Sequence, residues 1–138
     1  MAIKVVLDNG AKISRAHPTD AGMDLCARET QKVYPHDCAT FDTGVHIGFE
    51  PGTFGQIVSK SGLNVKHGIV CCGGTIDQNY TGSIVVKVYN LSDDPYVFNA
   101  GDKVAQLIIM KCETPDIEYV DSLEATDRGD NGFGSSGK

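Results

Sequence analysis

The amino-acid sequence predicts an all-β fold, and three observations carry that prediction. Six short segments rich in Val, Ile and Phe (Ile3–Leu7, Thr43–Phe49, Thr53–Ser59, Ile84–Leu91, Tyr96–Phe98 and Val104–Met110) are separated by Gly, Pro, Asn and Asp. No segment keeps the 3.6-residue apolar period of an ordinary helix, and only Ser61–His67 offers a helical turn. Sixteen glycines among 138 residues, against a usual share of about 7%, suit tight turns and close approach of backbone to a ligand. A sandwich or barrel of short strands satisfies all three.

Each element has its own reason. Ile3–Leu7 is a compact apolar run that ends at Asp8-Asn9-Gly10, a turn signal. Thr43–Phe49 (TGVHIGF) alternates, as a strand with one wet face does. Val104–Met110 (VAQLIIM) is almost continuously apolar, which predicts a strand buried on both sides. The final stretch, 125–138 (ATDRGDNGFGSSGK), has four glycines, one aromatic residue and no strand pattern. The expected organisation is therefore one β domain over 1–124 and a flexible glycine-rich arm over 125–138. Composition leaves two readings of that arm open: simple disorder, or a segment that orders around a ligand.

Charge narrows the function classes. Lys plus Arg is 12 and Asp plus Glu is 18, a net −6. From residue 113 onward seven acids meet two bases, so the rest of the chain is nearly neutral. No basic stripe exists to follow a nucleic-acid backbone, so no polymeric nucleic acid is expected as partner. A single nucleotide remains open, because its phosphates need only local amides, one or two cations and a metal. No stretch approaches the roughly 20 apolar residues of a membrane span, and the first residues lack a signal-peptide core. A cytoplasmic protein without a membrane partner is expected. Five cysteines without CxxC spacing are expected to be reduced, and four histidines without HxH or HExxH spacing give no zinc site.

Five patches carry the chemistry: Pro18–Leu25 (PTDAGMDL); Lys60–Leu63 (KSGL) with Lys66-His67-Gly68; Gly74–Gly82 (GTIDQNYTG); Gly101–Leu107 (GDKVAQL); and Arg128–Gly137 (RGDNGFGSSG). In this order and spacing, from about residue 15 to the C-terminus, the chain resembles the trimeric deoxyuridine triphosphatases (dUTPases). The resemblance implies a distorted jelly-roll β-barrel, a homotrimer whose sites take motifs from all three chains, and a mobile C-terminal arm. It also implies Mg²⁺-dependent hydrolysis of dUTP to dUMP and pyrophosphate, by attack of water on the α-phosphorus. That reaction keeps uracil out of DNA and supplies dUMP for thymidylate synthesis.

The residues can be weighed against that chemistry. Asp77, at a strand end entering a hairpin, matches the family's general base, since a carboxylate beside the water both positions it and takes its proton. Its bland alternative is a turn Asp that caps its own backbone. Tyr80 matches the tyrosine packed under the deoxyribose, where a 2′-hydroxyl would find neither room nor partner; a core-filling hairpin tyrosine is the alternative. Gly74, Thr75, Ile76 and Val85 would read uracil through hairpin backbone groups. Ser61 and Gly62 match phosphate contacts, with Ser61 as a helix N-cap the other reading. Lys60 stands where the family usually has arginine, keeping the charge but losing the bidentate fork.

Asp24 matches an acid that holds Mg²⁺ through water, an outer-shell role suited to a cation that keeps its waters; a salt-bridged turn residue is the alternative. Gln106, an amide inside an apolar strand, would donate to a phosphate oxygen or be a satisfied core amide. Asp102 and Lys103 read as a turn with subunit contacts. In the arm, Phe133 matches the ring stacked on uracil and Arg128 the γ-phosphate arginine, with Gly134, Ser135 and Ser136 around the triphosphate. Closure of the arm would exclude bulk water. A deaminase of the same superfold would need a glutamate base, and none occurs between Glu50 and Glu113. A purely binding role for the fold fits poorly with Asp77 and the complete arm motif.

Overall fold

The computed structural model describes residues 2–137; Met1, and Lys138 at the end of the expected arm, lie outside the described residues. Twelve strands and one short helix follow each other as β1 (Lys4–Leu7), β2 (Ile13–Ser14), β3 (Met23–Cys26), β4 (Gln31–Val33), β5 (Cys38–Asp42), β6 (Val45–Gly48), β7 (Thr53–Val58), α1 (Ser61–His67), β8 (Ile69–Cys71), β9 (Thr75–Ile76), β10 (Val85–Asn90), β11 (Tyr96–Phe98) and β12 (Lys103–Lys111). All pairings are antiparallel and form four sheets, ordered β1-β6, β5-β10-β8, β11-β4 and β2-β3-β12-β7-β9. Among the described residues the sheets do not close into one hydrogen-bonded barrel. They wrap a single apolar core in the jelly-roll manner.

That core is built from alternating strand positions. Leu25, Val45, Ile57, Val86, Val88 and Leu107 point inward and are almost fully buried. Phe41 meets Phe98 edge-on at 5.1 Å, and Tyr96 and His67 extend the aromatic row outward. Two buried polar side chains are satisfied locally. The Thr43 hydroxyl donates to Ile84 O at 2.7 Å, and the Asn90 amide donates to Val33 O and Asp94 O.

All six strands expected from sequence are present within a residue or two, and Ser61–His67 is the helix. β6 alternates buried and open positions as TGVHIGF predicts. β12 differs from expectation: Val104, Ala105 and Leu107 are buried and Gln106 is half-buried, whereas Ile108–Lys111 is half-buried to exposed. The strand outruns the core at that end. The sheets stop at Lys111, and residues 112–137 form no strand or helix. Almost every side chain there is exposed, including Ile117, Tyr119, Leu123 and Phe133.

Candidate active site

β12 organises the first group of candidate residues. It lies between β3 and β7, and its register sets Gln106 opposite Asp24 on one side and Val58 on the other. Two residues beyond Val58 the chain turns into α1 through Lys60, whose extended backbone serves as the helix cap position. Three segments far apart in sequence thereby reach one cavity of about 330 Å³, lined by Asp20, Gly22, Asp24, Lys60, Lys103 and Gln106 with two alanines. The Gln106 amide lies so close over Gly22 that any Cβ there would collide with it.

Asp24 is the electrostatic centre of this cavity. Its side chain is 6% exposed; Oδ1 is 2.5 Å from Lys60 Nζ and Oδ2 is 2.7 Å from Lys103 Nζ. Burial alone would raise the carboxyl, but hydrogen bonds from Lys103 and Lys60 outweigh it and hold the group below the usual aspartate value. The same contact pushes the Lys103 ammonium up. Lys103 is thus a cavity residue rather than only part of a turn; its partner is on another strand, which sequence spacing cannot reveal. Asp102 is the turn residue, accepting from Asn99 N at 2.8 Å.

The second group sits on the connection between β9 and β10, two strands of different sheets that do not pair with each other, so the hairpin expected from sequence is an open one that crosses between sheets. β9 pairs β7 through Gly55↔Ile76 and Gln56↔Thr75, and it ends immediately before Asp77. The turn is closed by Tyr80 N donating to Asp77 O at 3.0 Å. Asp77 is exposed, and among the described residues its carboxylate accepts no hydrogen bond, so the self-capping alternative does not occupy it. Tyr80 is not a core residue. It is 44% exposed, its hydroxyl donates to Ser83 O at 2.9 Å, and the hydroxyl end of its ring occupies the space a Cβ on Gly82 would need. Val85 opens β10 opposite Asp42. At the entry to the hairpin it is Gly73 that the chain's own packing requires, because a Cβ there would strike Ile57 O. Gly74 has ordinary room, with Ile57 Cδ1 at 3.7 Å, so its bare face is free.

Ser61 is the first residue of α1 and no side-chain hydrogen bond caps that helix, which removes the N-cap reading. Ser61 and Gly62 are both exposed, with open space around Gly62. The third group, in the arm, is a chain of tight turns closed by Gly129 N, Asn131 N, Ser135 N and Gly137 N. Arg128 Nε donates to Asn131 O at 2.7 Å, and Arg128, Asn131, Ser135 and Ser136 line a cleft of about 480 Å³. Phe133 is fully exposed and takes a left-handed backbone beside Gly134. Neither hairpin nor arm residues line the Asp24 cavity.

Comparison with known proteins agrees over nearly the whole chain. The dUTPase family model matches residues 8–137. The chain is 42% identical over 142 residues to the deoxyuridine 5′-triphosphate nucleotidohydrolase of Corynebacterium glutamicum, covering 99% of this chain and 95% of that one. It is 39% identical over 135 residues to the Arabidopsis thaliana enzyme of the same name, covering 98% and 81%. Among solved structures it superposes with a TM-score of 0.91 at 29% identity on the dUTPase of Staphylococcus bacteriophage 80alpha bound to dUPNHPP, covering 99% of each chain. A mutant dUTPase from phage phi11 of S. aureus, with a TM-score of 0.83 at 27% identity over 91% of this chain and all of that one, coordinates a structural Mg(II) ion.

Proposed function

The chain belongs to the dUTPase family and is a dUTP diphosphatase, and from that premise we propose that it converts dUTP and water to dUMP and pyrophosphate in the cytoplasm, keeping uracil out of DNA and supplying dUMP for thymidylate synthesis. The observation that carries the proposal is the convergence of Asp24, Lys60, Lys103 and Gln106 on one cavity. Two ammoniums and an amide offer donors to triphosphate oxygens, and because Asp24 and Asp20 balance the lysine charge, a bound cation would supply the remaining offset. Lys60 and Gln106 contact phosphate oxygens there, helped by the exposed Ser61 hydroxyl and the backbone at Gly62.

Asp24 fits an outer-shell role toward Mg²⁺. It is buried and held in the charged form, each oxygen keeps lone pairs beyond its lysine contact, and no cluster of three metal-ligating side chains occurs among the described residues. Asp24 would help hold the cation as a hydrogen-bond acceptor rather than as a direct ligand. When bound, Mg²⁺ would offset charge developing on the phosphates. The Mg(II) ion of the phi11 relative supports magnesium affinity within the family.

Asp77 accepts the proton of the attacking water, and its unoccupied carboxylate leaves it available. The ring of Tyr80 packs under the deoxyribose, and Gly74, Thr75, Ile76 and Val85 present backbone groups to uracil. Arg128 meets the γ-phosphate, Phe133 stacks on the base, and Gly134, Ser135 and Ser136 close over the triphosphate. Within one chain neither hairpin nor arm residues line the cavity, which supports a homotrimer whose sites combine the three groups from different subunits, and a division into a domain over 1–124 and an arm over 125–138.

Asp77→Asn tests the assignment. Turnover of dUTP, followed as pyrophosphate release with dCTP and UTP as controls, should fall by roughly 10² to 10⁴ while dUPNHPP still binds. Near-parental turnover would remove Asp77 from the reaction.

A further inference from the structure

The limb of the hairpin that returns from Tyr80 to β10 is tied to the rest of the molecule at two points, and each tie is backed by a carboxylate. At the first, the Ser83 hydroxyl donates to Asp42 Oδ1 and accepts from Gly44 N at 3.0 Å, while Gly44 N also reaches Asp42 Oδ1 at 3.1 Å. At the second, His46 on β6 stands between Thr81 O, 2.8 Å from Nδ1, and the Asp8 carboxylate, 3.2 Å from Nε2. Gly82 lies between the two ties and Tyr80 immediately precedes Thr81, and the Tyr80 hydroxyl itself donates to the clamped residue, at Ser83 O.

The histidine contact has a protonation requirement. A carbonyl oxygen only accepts, so Nδ1 must carry a proton toward Thr81; a carboxylate also accepts, so Nε2 must carry one toward Asp8. A neutral imidazole holds one proton and satisfies one of these partners. Charged groups around the ring are Asp8 on the β1–β2 connection, Asp42 on β5 and Lys4 across the same cleft. The Thr81 carbonyl and then Asp8 move the imidazole above its ordinary value, in keeping with the geometry.

We propose that Asp8, His46, Asp42 and Ser83 are positioning residues that hold Tyr80 at the depth where it tells deoxyribose from ribose, with His46 bridging the Thr81 carbonyl to Asp8 only as the imidazolium. The proposal rests on the reading of Tyr80 given above. Rejecting a 2′-hydroxyl depends on a ring that does not recede; a hairpin free to shift by a fraction of an ångström would make room. Two independent ties on the segment next to the ring give that rigidity. His46 releases Thr81 or Asp8 as pH rises through its raised value, so selectivity should decline toward alkaline pH.

The test is kcat/KM for dUTP and for UTP from pH 5 to 9 in the parent and in His46→Gln, Asp8→Asn, Asp42→Asn and Ser83→Ala, with thermal melts of each, and ¹⁵N NMR of the His46 ring. In the parent, the dUTP-over-UTP ratio should fall as pH rises, in step with loss of the imidazolium signal. Asp8→Asn should move that midpoint to lower pH. His46→Gln should give a ratio about 10-fold lower and flat with pH, and Asp42→Asn or the milder Ser83→Ala a similar loss at every pH. Tyr80→Ala separates the two ideas. If it abolishes selectivity while the clamp variants and their pH profiles match the parent, the clamp is wrong and the Tyr80 reading stands. If Tyr80→Ala keeps selectivity, both fall. A His46 ring found neutral at pH 6 would also overturn the proposal.

Discussion

The Asp24 cavity and the C-terminal arm carry equally strong sequence motifs but opposite kinds of structure. In the cavity, the central groups are held by something distant in sequence: Asp24 by Lys60 and Lys103, and Gln106 by the pairing of β12 with β3 and β7, while Asp20 at its edge is held by its near neighbour His17. In the arm, the hydrogen bonds of Arg128 and of the turns around it span three residues or fewer, and Phe133 touches nothing that buries it. A motif therefore says what chemistry a segment can perform, whereas long-range contacts decide whether the segment is ready before ligand arrives. The cavity is held in place by contacts within the fold; on the proposal that the arm closes over the nucleotide, its ordering would fall to the ligand and would cost entropy.

The sharpest way to break this comparison is to remove the arm. Deleting Arg128–Lys138 should lower kcat/KM for dUTP by roughly 10²-fold or more, because closure and base stacking are lost together. The melting temperature should stay within about 2 °C of the parent, since the segment buries almost nothing. A large drop in melting temperature would show that the arm belongs to the folded core in the assembled protein.

A smaller effect is expected from Lys60→Ala, which should cost about 10- to 100-fold in kcat/KM, the worth of one charge-assisted hydrogen bond to phosphate. Lys60→Arg should retain activity, because the charge persists even if the planar head seats differently. Combining Lys60→Ala with the arm deletion sharpens the point. Two regions acting on one nucleotide should give a combined loss that departs from the product of the single losses, whereas strict additivity would mean they act independently. Parental kinetics for Lys60→Ala would remove Lys60 from phosphate binding.

What the sequence made legible follows the same divide. The long apolar runs were readable as strands because their period is intrinsic to them. β2, β3, β4, β5, β8 and β9 were not, all being short and most of them interrupted by polar residues; β3 reads MDLC, with the buried Asp24 inside it. They are strands because neighbours pair with them, a tertiary cause with little local signal. Asp24, Lys60 and Gln106 were legible as motif residues, yet their meeting was not, and Lys103 read as a turn and subunit-contact residue because its ion pair joins two strands. His46, Asp42 and Ser83 carry no motif at all. Only the turn Thr43-Gly44, which brings β5 and β6 against the hairpin, gives them a common purpose.

The smallest effect concerns stability and again separates a paired carboxylate from a free segment. Asp24 titrates below the ordinary aspartate value of about 3.9 in the folded chain because Lys103 and Lys60 favour its charged form. The unfolded chain lacks those partners, so between the two values it binds more protons than the folded one. The stabilisation from this pair is therefore complete above about pH 4 and is lost as pH falls through the lowered folded value. Asp24→Asn removes the linkage and leaves two ammoniums around a neutral amide, so the variant should melt below the parent at pH 6 to 7. That gap should narrow steadily as the medium is acidified below pH 4, because the parent loses the same interaction the variant never had. Thermal melts of both proteins from pH 7 to pH 3 measure it directly. A gap that stays constant over the whole range would mean that Asp24 gains nothing from its lysines on folding, and the cavity would then be no better prepared for its ligand than the arm.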